Sequence, residues 1–299
     1  MKKLLLKMFY LFLDVKKNFK ILPNKLASII IDPPIVRTTD ETLDKIINEK
    51  CSVSRYGNGE FNIMFKGEQF FQEYDKELSL RLIEVIRSQS KNHIVCIPDV
   101  FSDLDKFTER AQDFWNSYLS INRSKIYRKL VKKKVYYDAM MTRLYLDYKD
   151  KSKAEKRFLK FRMIWDKREI ILVEGEQSRL GAGNNLFSNA KSLKRILCPA
   201  ENAFAKYEEI INEVNKYGKS SLILLALGPT ATVLAYDLSN MGYQAVDIGN
   251  VDIEYEWFLK RTEVKIPVKH KYTGEVPNGT KVEKLHNREY ENEILTQIL

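Results

Sequence analysis

The stretch SLILLALGPTATVLAYDL, residues 221–238, decides the fold. Its first half is a short, continuous apolar run, which is typical of a strand buried on both faces of a sheet. Gly228 and Pro229 then mark a sharp turn, and the residues that follow predict a helix to about Asn240. A strand that passes through such a turn into a helix is typical of a parallel α/β sheet.

The same alternation of strands and helices extends along the chain. Helical patterns over about 75–88 and 201–217 separate further apolar runs. These runs, which predict strands, are Cys51–Arg55, His93–Pro98, Glu169–Val173 and Gln244–Val251. We therefore predict an α/β fold, a Rossmann-like and mostly parallel sheet with helices on both faces. Ligands bind such sheets beyond the carboxyl ends of the strands.

Three segments are expected in the chain of 299 residues. Residues 1–36 form a basic N-terminal helix and linker, residues 37–265 form the main domain, and residues 266–299 form a tail with a short terminal helix. Within the main domain, residues 101–168 are rich in basic and aromatic side chains and predict a helical insertion. The length suits one large α/β domain with such appendages.

Residues 1–22 are very apolar, yet the first twenty positions carry six lysines and one aspartate. This pattern predicts an amphipathic helix that lies on the anionic inner face of the cell membrane. A helix packed on its own protein, or a dimer contact, is the alternative. Lys7 interrupts the apolar run and no small-residue cleavage site follows, so a signal peptide is disfavoured. Three isolated cysteines indicate buried thiols in a reducing cytoplasm.

The first polar loop, RYGNGEF at residues 55–61, follows a predicted strand. Gly57 and Gly59 let the backbone approach a ligand closely, and Arg55 can pair with phosphate. Glu60 can act as an acid, a base or a hydroxyl acceptor. A tight strand-to-helix turn without ligand contacts is the alternative interpretation.

Two further loops follow predicted strands. The loop EGEQSRLGAGNN at residues 174–185 concentrates carboxylates, amides, an arginine and three glycines, as polar ligand sites do. Its alternative is a structural loop in which Arg179 satisfies its own carbonyls. The turn Gly228–Thr232 opens a helix, where backbone N–H groups and the helix dipole favour phosphate. Plain N-capping by Thr230 is the alternative there.

A pair of carboxylates follows the run Gln244–Val251. If the extended strand continues, Asp252 and Glu254 project to the same side of it. Two carboxylates so placed attract a hard divalent cation, Mg²⁺ or Mn²⁺. Acidic pairs are also common on solvated turns. Three histidines in the whole chain argue against a His-rich metal site or a Ser-His-Asp apparatus.

Taken together, these motifs resemble the GT-D-type glycosyltransferase domain of bacterial surface-polysaccharide and protein-glycosylation systems, which is a Rossmann-like α/β fold. The likeness spans about residues 40–262. The motifs, in family order, are RYGNGEF (55–61), FQEYD (71–75), VEGEQSRLGAGNNLF (173–187), LCPAENAF (197–204), LLALGPTATVLAYDL (224–238) and DIGNVDIEYEW (247–257).

The resemblance implies a UDP-sugar donor and a divalent metal, Mn²⁺ or Mg²⁺, held by Asp252 and Glu254. The implied acceptor is an oligosaccharide, linked to lipid or to protein. Glu60 is our candidate base, with Glu176 as second choice. Members of the family often have Asp where this chain has Asn58. The implied donor-binding residues are Arg55, Gly57, Asn58, Gly59, Glu176, Arg179, Gly181, Asn184, Gly228, Pro229 and Thr230.

Two other classes of protein are alternatives. A Rossmann-type cofactor enzyme is disfavoured, because no strand is followed by the three-glycine dinucleotide fingerprint. A nucleic-acid-binding protein is suggested by the net charge of +10 and by Arg123–Lys134, which holds seven basic residues and no acidic one. A solvated basic face explains that block equally well, and we expect no nucleic-acid partner.

Overall fold

Nine strands form one sheet in the computed structural model, which describes residues 21–299. Their order is β1-β4-β3-β2-β8-β7-β5-β6-β9, and each neighbouring pair is parallel. The bounds are β1 Ile35–Val36, β2 Ser52–Arg55, β3 His93–Ile97, β4 Val135–Asp138, β5 Glu169–Gly175, β6 Ser192–Cys198, β7 Leu222–Ala226, β8 Gln244–Asp247 and β9 Ile294–Gln297. The predicted α/β fold is confirmed.

The helices begin with α1, which covers residues 21–30. They continue as α2 Thr39–Glu49, α3 Asn58–Met64, α4 Lys76–Arg87, α5 Glu109–Tyr127, α6 Ala154–Arg162, α7 Tyr207–Val214, α8 Pro229–Asn240, α9 Val251–Leu259 and α10 Arg288–Glu293. Short 3₁₀ turns lie at Ala139–Thr142, Met163–Trp165 and Ala203–Lys206. No helix within residues 21–299 is long and apolar enough to cross a bilayer.

Both faces of the sheet are covered by helices. Along β5, Ile170 and Leu172 pack in one hydrophobic cluster, whereas Ile171 and Val173 pack in another. Alternate side chains of a strand point to opposite faces, so the two clusters lie on opposite sides of the sheet. Helices α2, α6 and α9 contribute to the first cluster, and α7 and α8 contribute to the second. This burial on both faces explains the continuous apolar runs in the sequence.

Several elements differ from the sequence prediction. The expected helical insertion, residues 101–168, contains α5 and α6 but also the strand β4, which joins the sheet. The tail forms the expected short helix, α10, and then adds β9 at the sheet edge beside β6. The amphipathic helix predicted for residues 1–22 lies almost wholly outside the described residues.

His93 is a buried histidine in β3 that must stay neutral. Its Nε2 lies 2.8 Å from Ser54 Oγ, and Ser54 donates its own proton to the Thr232 carbonyl at 2.6 Å. The Nε2 atom therefore carries the ring proton, and Nδ1 has no partner in the described chain. Burial lowers the pKa of His93 to about 3, because a charged ring would lose its solvation.

We expect acidification to destabilise the protein through His93. In the unfolded chain the residue takes up a proton near its ordinary pKa of 6.5, whereas the folded protein does not. Stability therefore falls as the pH drops, by about 2 kcal/mol between pH 7 and pH 5. Urea unfolding of the wild type and of His93→Gln across this range measures the effect. Identical pH slopes in the two proteins would contradict it.

Candidate functional site

Arg55 ties together three strand ends at the carboxyl edge of the sheet. From the end of β2, its Nη2 reaches Asp247 Oδ1 at 3.1 Å, at the end of β8. Its Nη1 donates to Thr142 Oγ1 at 2.8 Å, beyond β4. Gly249 has φ +44°, and a Cβ at that position would overlap the Arg55 guanidinium. Arg55 therefore fixes the shape of this edge, and most of its donors are engaged by protein acceptors.

The turn after β2 leads directly into α3. Gly57 donates its backbone N–H to Glu60 Oε2 at 2.7 Å. Tyr118 Oη donates to Asn62 Oδ1 at 2.8 Å and lies 3.2 Å from the Asn58 carbonyl. Burial raises the pKa of Glu60, partly offset by that Gly57 bond. The Asn58 side chain makes no hydrogen bond within residues 21–299. The turn is thus a tight strand-to-helix connection that binds the Glu60 carboxyl and leaves the Asn58 amide without a protein partner among residues 21–299.

The N-terminus of α8 lies against the same edge. Thr232 Oγ1 donates to the Arg55 carbonyl at 2.8 Å, which joins α8 to β2. Gly228 has φ +55°, and a Cβ there would lie 2.5 Å from the Phe71 ring, so this turn requires glycine. Pro229 occupies the first helical turn. Thr230 makes no capping bond, and its buried Oγ1 has no partner among the described residues. Thr230 is therefore not a cap.

Asp252 and Glu254 lie on a helix and not at the end of a strand. β8 ends at Asp247, and α9 begins at Val251 after a short turn. Residues two apart on a helix are separated by about 200° of rotation, because each residue turns by about 100°. The prediction that the two carboxylates share one side of an extended strand is wrong.

Asp252 belongs to a buried network that closes on itself. Its Oδ1 accepts from the Gly181 N–H at 2.8 Å and from Asn184 Nδ2 at 2.7 Å. Its Oδ2 accepts from Lys271 Nζ at 2.7 Å, and Lys271 lies 3.2 Å from Glu256 Oε1. Asn184 also binds Glu256, at 2.7 Å. These groups join the loop after β5, helix α9 and the tail.

Arg179 also connects its loop to the tail. Its Nη1 donates to the backbone carbonyls of His270 and Glu283, at 2.8 and 2.7 Å. The alternative interpretation of this loop was that Arg179 binds carbonyls of the loop itself. Arg179 does bind backbone carbonyls, but they belong to the tail. The half-buried Glu176 makes no side-chain hydrogen bond in the described part of the chain. The second loop is therefore held mainly by protein contacts.

Glu254 is buried near an arginine that the sequence prediction missed. Its Oε2 accepts from the backbone N–H groups of Tyr145 and Leu146, both at 3.2 Å. Its Oε1 has no hydrogen-bond partner among residues 21–299 and lies 3.8 Å from Arg143 Nη1. Burial raises the pKa of Glu254 to about 7, and the nearby Arg143 opposes that rise. Arg143 itself binds Glu275 at 2.5 Å. Recognition of β4 as a strand would have placed Arg143 at the carboxyl edge.

Asp252 and Glu254 do not fit a single divalent cation as a pair. The Lys271 ammonium already balances Asp252, and Glu254 points to a different set of partners. In the described chain, no group of three or more His, Cys, Asp or Glu side chains is arranged to hold a metal. The side-chain groups at this edge that lack a protein partner among residues 21–299 are the Asn58 amide, Glu60 Oε1 and the buried Oγ1 of Thr230.

A shallow groove runs along α5 beside the turn after β2. Its volume is about 490 Å³, and its lining is Asp113, Phe114, Ser117, Tyr118 and Ile121. Tyr118 is shared with the turn, because its hydroxyl binds the Asn58 carbonyl. A ligand in this groove would lie next to the carboxyl edge of the sheet.

Comparison with known proteins yields a consistent result. Residues 53–276 match the model of the glycosyltransferase GT-D fold family. The chain is 39% identical over 265 residues to "Glycosyltransferase GlyD" of Streptococcus pneumoniae serotype 4, which covers 88% of this chain and 32% of that protein. It is 37% identical over 264 residues to "Probable glycosyl transferase Gly" of Streptococcus gordonii, covering 88% and 39%. The chain thus spans about a third of the length of these curated relatives.

The chain also resembles solved structures of glycosyltransferases, and the match covers nearly the full length of those structures. One is the domain of unknown function 1792 described as having a distinct glycosyltransferase fold, with a TM-score of 0.87 and 34% identity over 92% of this chain and 99% of that one. Another is a glycosyltransferase from Streptococcus sanguinis, with a TM-score of 0.86 and 36% identity over 89% and 100%.

Proposed function

The chain belongs to the family of glycosyltransferases with the GT-D fold, and from that premise we propose that it transfers a sugar from a UDP-sugar to an oligosaccharide acceptor carried by lipid or protein. The observation that carries the proposal is the meeting of the Gly57–Glu60 turn and the Gly228–Thr230 turn at one edge, joined through Arg55. In α/β sheets this edge is where nucleotides bind.

The proposed chemistry follows from the groups at that edge. Breaking the glycosidic bond leaves negative charge on the departing diphosphate, and the positive end of the α8 dipole stabilises it. Glu60, with a pKa raised by burial, accepts the proton of the acceptor hydroxyl. The groove on α5, whose Tyr118 contacts Asn58 and Asn62 near the same turn, is the proposed acceptor site.

A divalent cation remains part of the proposal, because the family resemblance implies one. When bound, Mn²⁺ or Mg²⁺ would act as a Lewis acid on the diphosphate. The Asp252 and Glu254 pair does not fit as its ligand set, since Lys271 and backbone amides already bind those carboxylates.

A panel of UDP-sugars tests the proposed function without knowledge of the acceptor. We expect slow UDP release from one or a few of the sugars, measured in Mn²⁺, in Mg²⁺ and in EDTA. We also expect UDP, and not NAD, to raise the melting temperature. If NAD stabilised the protein and no UDP-sugar were hydrolysed, the cofactor-enzyme alternative would replace this proposal.

Gly228→Ala should lower kcat/KM for donor hydrolysis about a hundredfold, because the new Cβ displaces Phe71 and the start of α8. Gly242→Ala is a matched control at the other end of the same helix. Gly242 also has a positive φ, +90°, but a Cβ added there would meet nothing within 4 Å. Gly242→Ala therefore introduces backbone strain, as Gly228→Ala does, but no steric clash. Equal losses of activity in the two variants would show that the start of α8 does not belong to the functional site.

Glu60→Gln should lower kcat about 10²–10⁴-fold while leaving the melting temperature nearly unchanged. The amide oxygen can still accept from the Gly57 N–H, so the helix start is kept. Glu41→Gln is the control, because Glu41 closes the equivalent capping box of α2 by accepting from Thr38. Full activity in Glu60→Gln would show that Glu60 only caps helix α3 and is not the base.

A further inference from the structure

Helix α1 exposes a stripe of large aliphatic side chains to solvent. Leu22, Leu26, Ile29 and Ile30 are 57%, 46%, 73% and 74% exposed. Their spacing of four, three and one places them on one side of the helix. Asn24 and Ala27 lie on the other side and are buried. The helix is thus amphipathic, but its more apolar side faces outward.

Helix α1 is seated on a segment of the chain that carries several unpaired cations. Asn24 Oδ1 accepts from the Ser124 backbone N–H at 2.7 Å, which seats α1 on the end of α5. Ser124 belongs to the basic block Arg123–Lys134. Four cations of that block are exposed and form no ion pair with any residue from 21 to 299. They are Lys125, Arg128, Lys132 and Lys133.

We propose that the stripe and these four cations, together the membrane face, bind the surface of an anionic phospholipid bilayer. The aliphatic side chains would enter the boundary between headgroups and acyl chains, while the cations meet anionic headgroups. Residues 1–20, which precede α1, add six lysines and one aspartate. This property goes beyond sugar transfer, because it concerns the surface on which the protein lies and not the group that it transfers.

Other occupants match only half of the membrane face. A nucleic acid would complement the cations but would leave four aliphatic side chains without apolar contacts. A second copy of the chain would cover the stripe but would bring two clusters of like charge together. An anionic bilayer satisfies both halves of the face at once.

Sedimentation of the full chain with vesicles tests the proposal. We expect binding to vesicles of phosphatidylcholine with phosphatidylglycerol, weakened by salt, and none to phosphatidylcholine alone. Leu26→Asp with Ile30→Asp should lower the partition coefficient about tenfold or more. Leu159→Asp is the matched control, since Leu159 is 57% exposed on α6, which packs on the opposite face of the sheet from α5, and it should bind like the wild type.

The charged half of the face has its own pair of variants. Lys132→Glu with Lys133→Glu should lower binding about tenfold or more. Lys149→Glu with Lys281→Glu changes two exposed lysines elsewhere by the same net charge and should leave binding unchanged. UDP-sugar hydrolysis should be equal in all these variants, which separates this inference from the proposed function.

Three results would overturn the membrane face. One is equal binding to neutral and anionic vesicles. Another is wild-type binding by Leu26→Asp with Ile30→Asp, which would assign the contact to residues 1–20. The third is a dimer by light scattering that dissociates in that variant, without vesicle binding by the wild type, which would assign the stripe to a second copy.

Discussion

Arg195→Met should lower the free energy of unfolding by about 3–5 kcal/mol. Arg195 is buried in β6, where its Nη1 lies 2.5 Å from Glu174 Oε1 and its Nε lies 2.6 Å from Glu293 Oε2. Methionine preserves most of the side-chain volume but leaves the fully buried Glu174 carboxylate without a cation. An uncompensated buried charge is the costly consequence. Equilibrium urea unfolding measures the loss.

An exposed ion pair on the same two strands serves as the control. Lys191 and Glu169 lie 2.8 Å apart beside the start of β6 and β5, and both side chains are well exposed. Lys191→Met should change stability little, because solvent and salt screen such pairs. If Lys191→Met and Arg195→Met lowered the free energy of unfolding by similar amounts, burial of the ion pair would not determine the size of the loss.

A double variant separates the lost ion pair from lost packing. Glu174→Gln with Arg195→Met removes both charges, and Gln can still accept from the Leu180 N–H that now binds Glu174 at 2.7 Å. We expect this variant to be more stable than Arg195→Met alone. If the double variant instead lost as much stability as Glu174→Gln and Arg195→Met together, the two charges would contribute independently.

Most of the sheet could be predicted from the sequence, because strands buried on both faces are continuous apolar runs. Strand β6 was missed since Lys194 and Arg195 interrupt its run, and Arg195 is tolerated inside only by its ion pairs. Strand β4 was missed because four residues, VYYD, follow a basic block. β9 pairs with β6 across about a hundred residues of sequence, a contact that no local pattern reports.

The candidate site was only partly predictable, for a similar reason. Local turn chemistry placed Arg55, Gly57 and Gly228 correctly at one edge. The polar residues of the second loop predict ligand groups, but Asn184 binds α9 and Arg179 binds the tail. A high density of polar groups in a loop does not reveal whether those groups bind a ligand or a distant segment of the same chain.

Lys271→Met should also cost about 3–5 kcal/mol of unfolding free energy. Lys271 is the buried cation between Asp252 and Glu256, at 2.7 and 3.2 Å. Without it, the two carboxylates repel each other in a largely buried site. Lys269→Met is the matched control, because Lys269 is exposed two residues away and should matter little. Thermal and urea unfolding compare the two.

The same position decides between a lysine and a metal ion as the partner of Asp252. If Lys271 is the partner, Asp252→Asn with Lys271→Met should recover part of the stability lost in Lys271→Met, since it removes the carboxylate that has no other cation nearby. Mn²⁺ should then raise the melting temperature of the wild type and of Asp252→Asn equally. A Mn²⁺ stabilisation present in the wild type and absent in Asp252→Asn would instead restore Asp252 as a metal ligand, with Lys271 displaced when the ion binds.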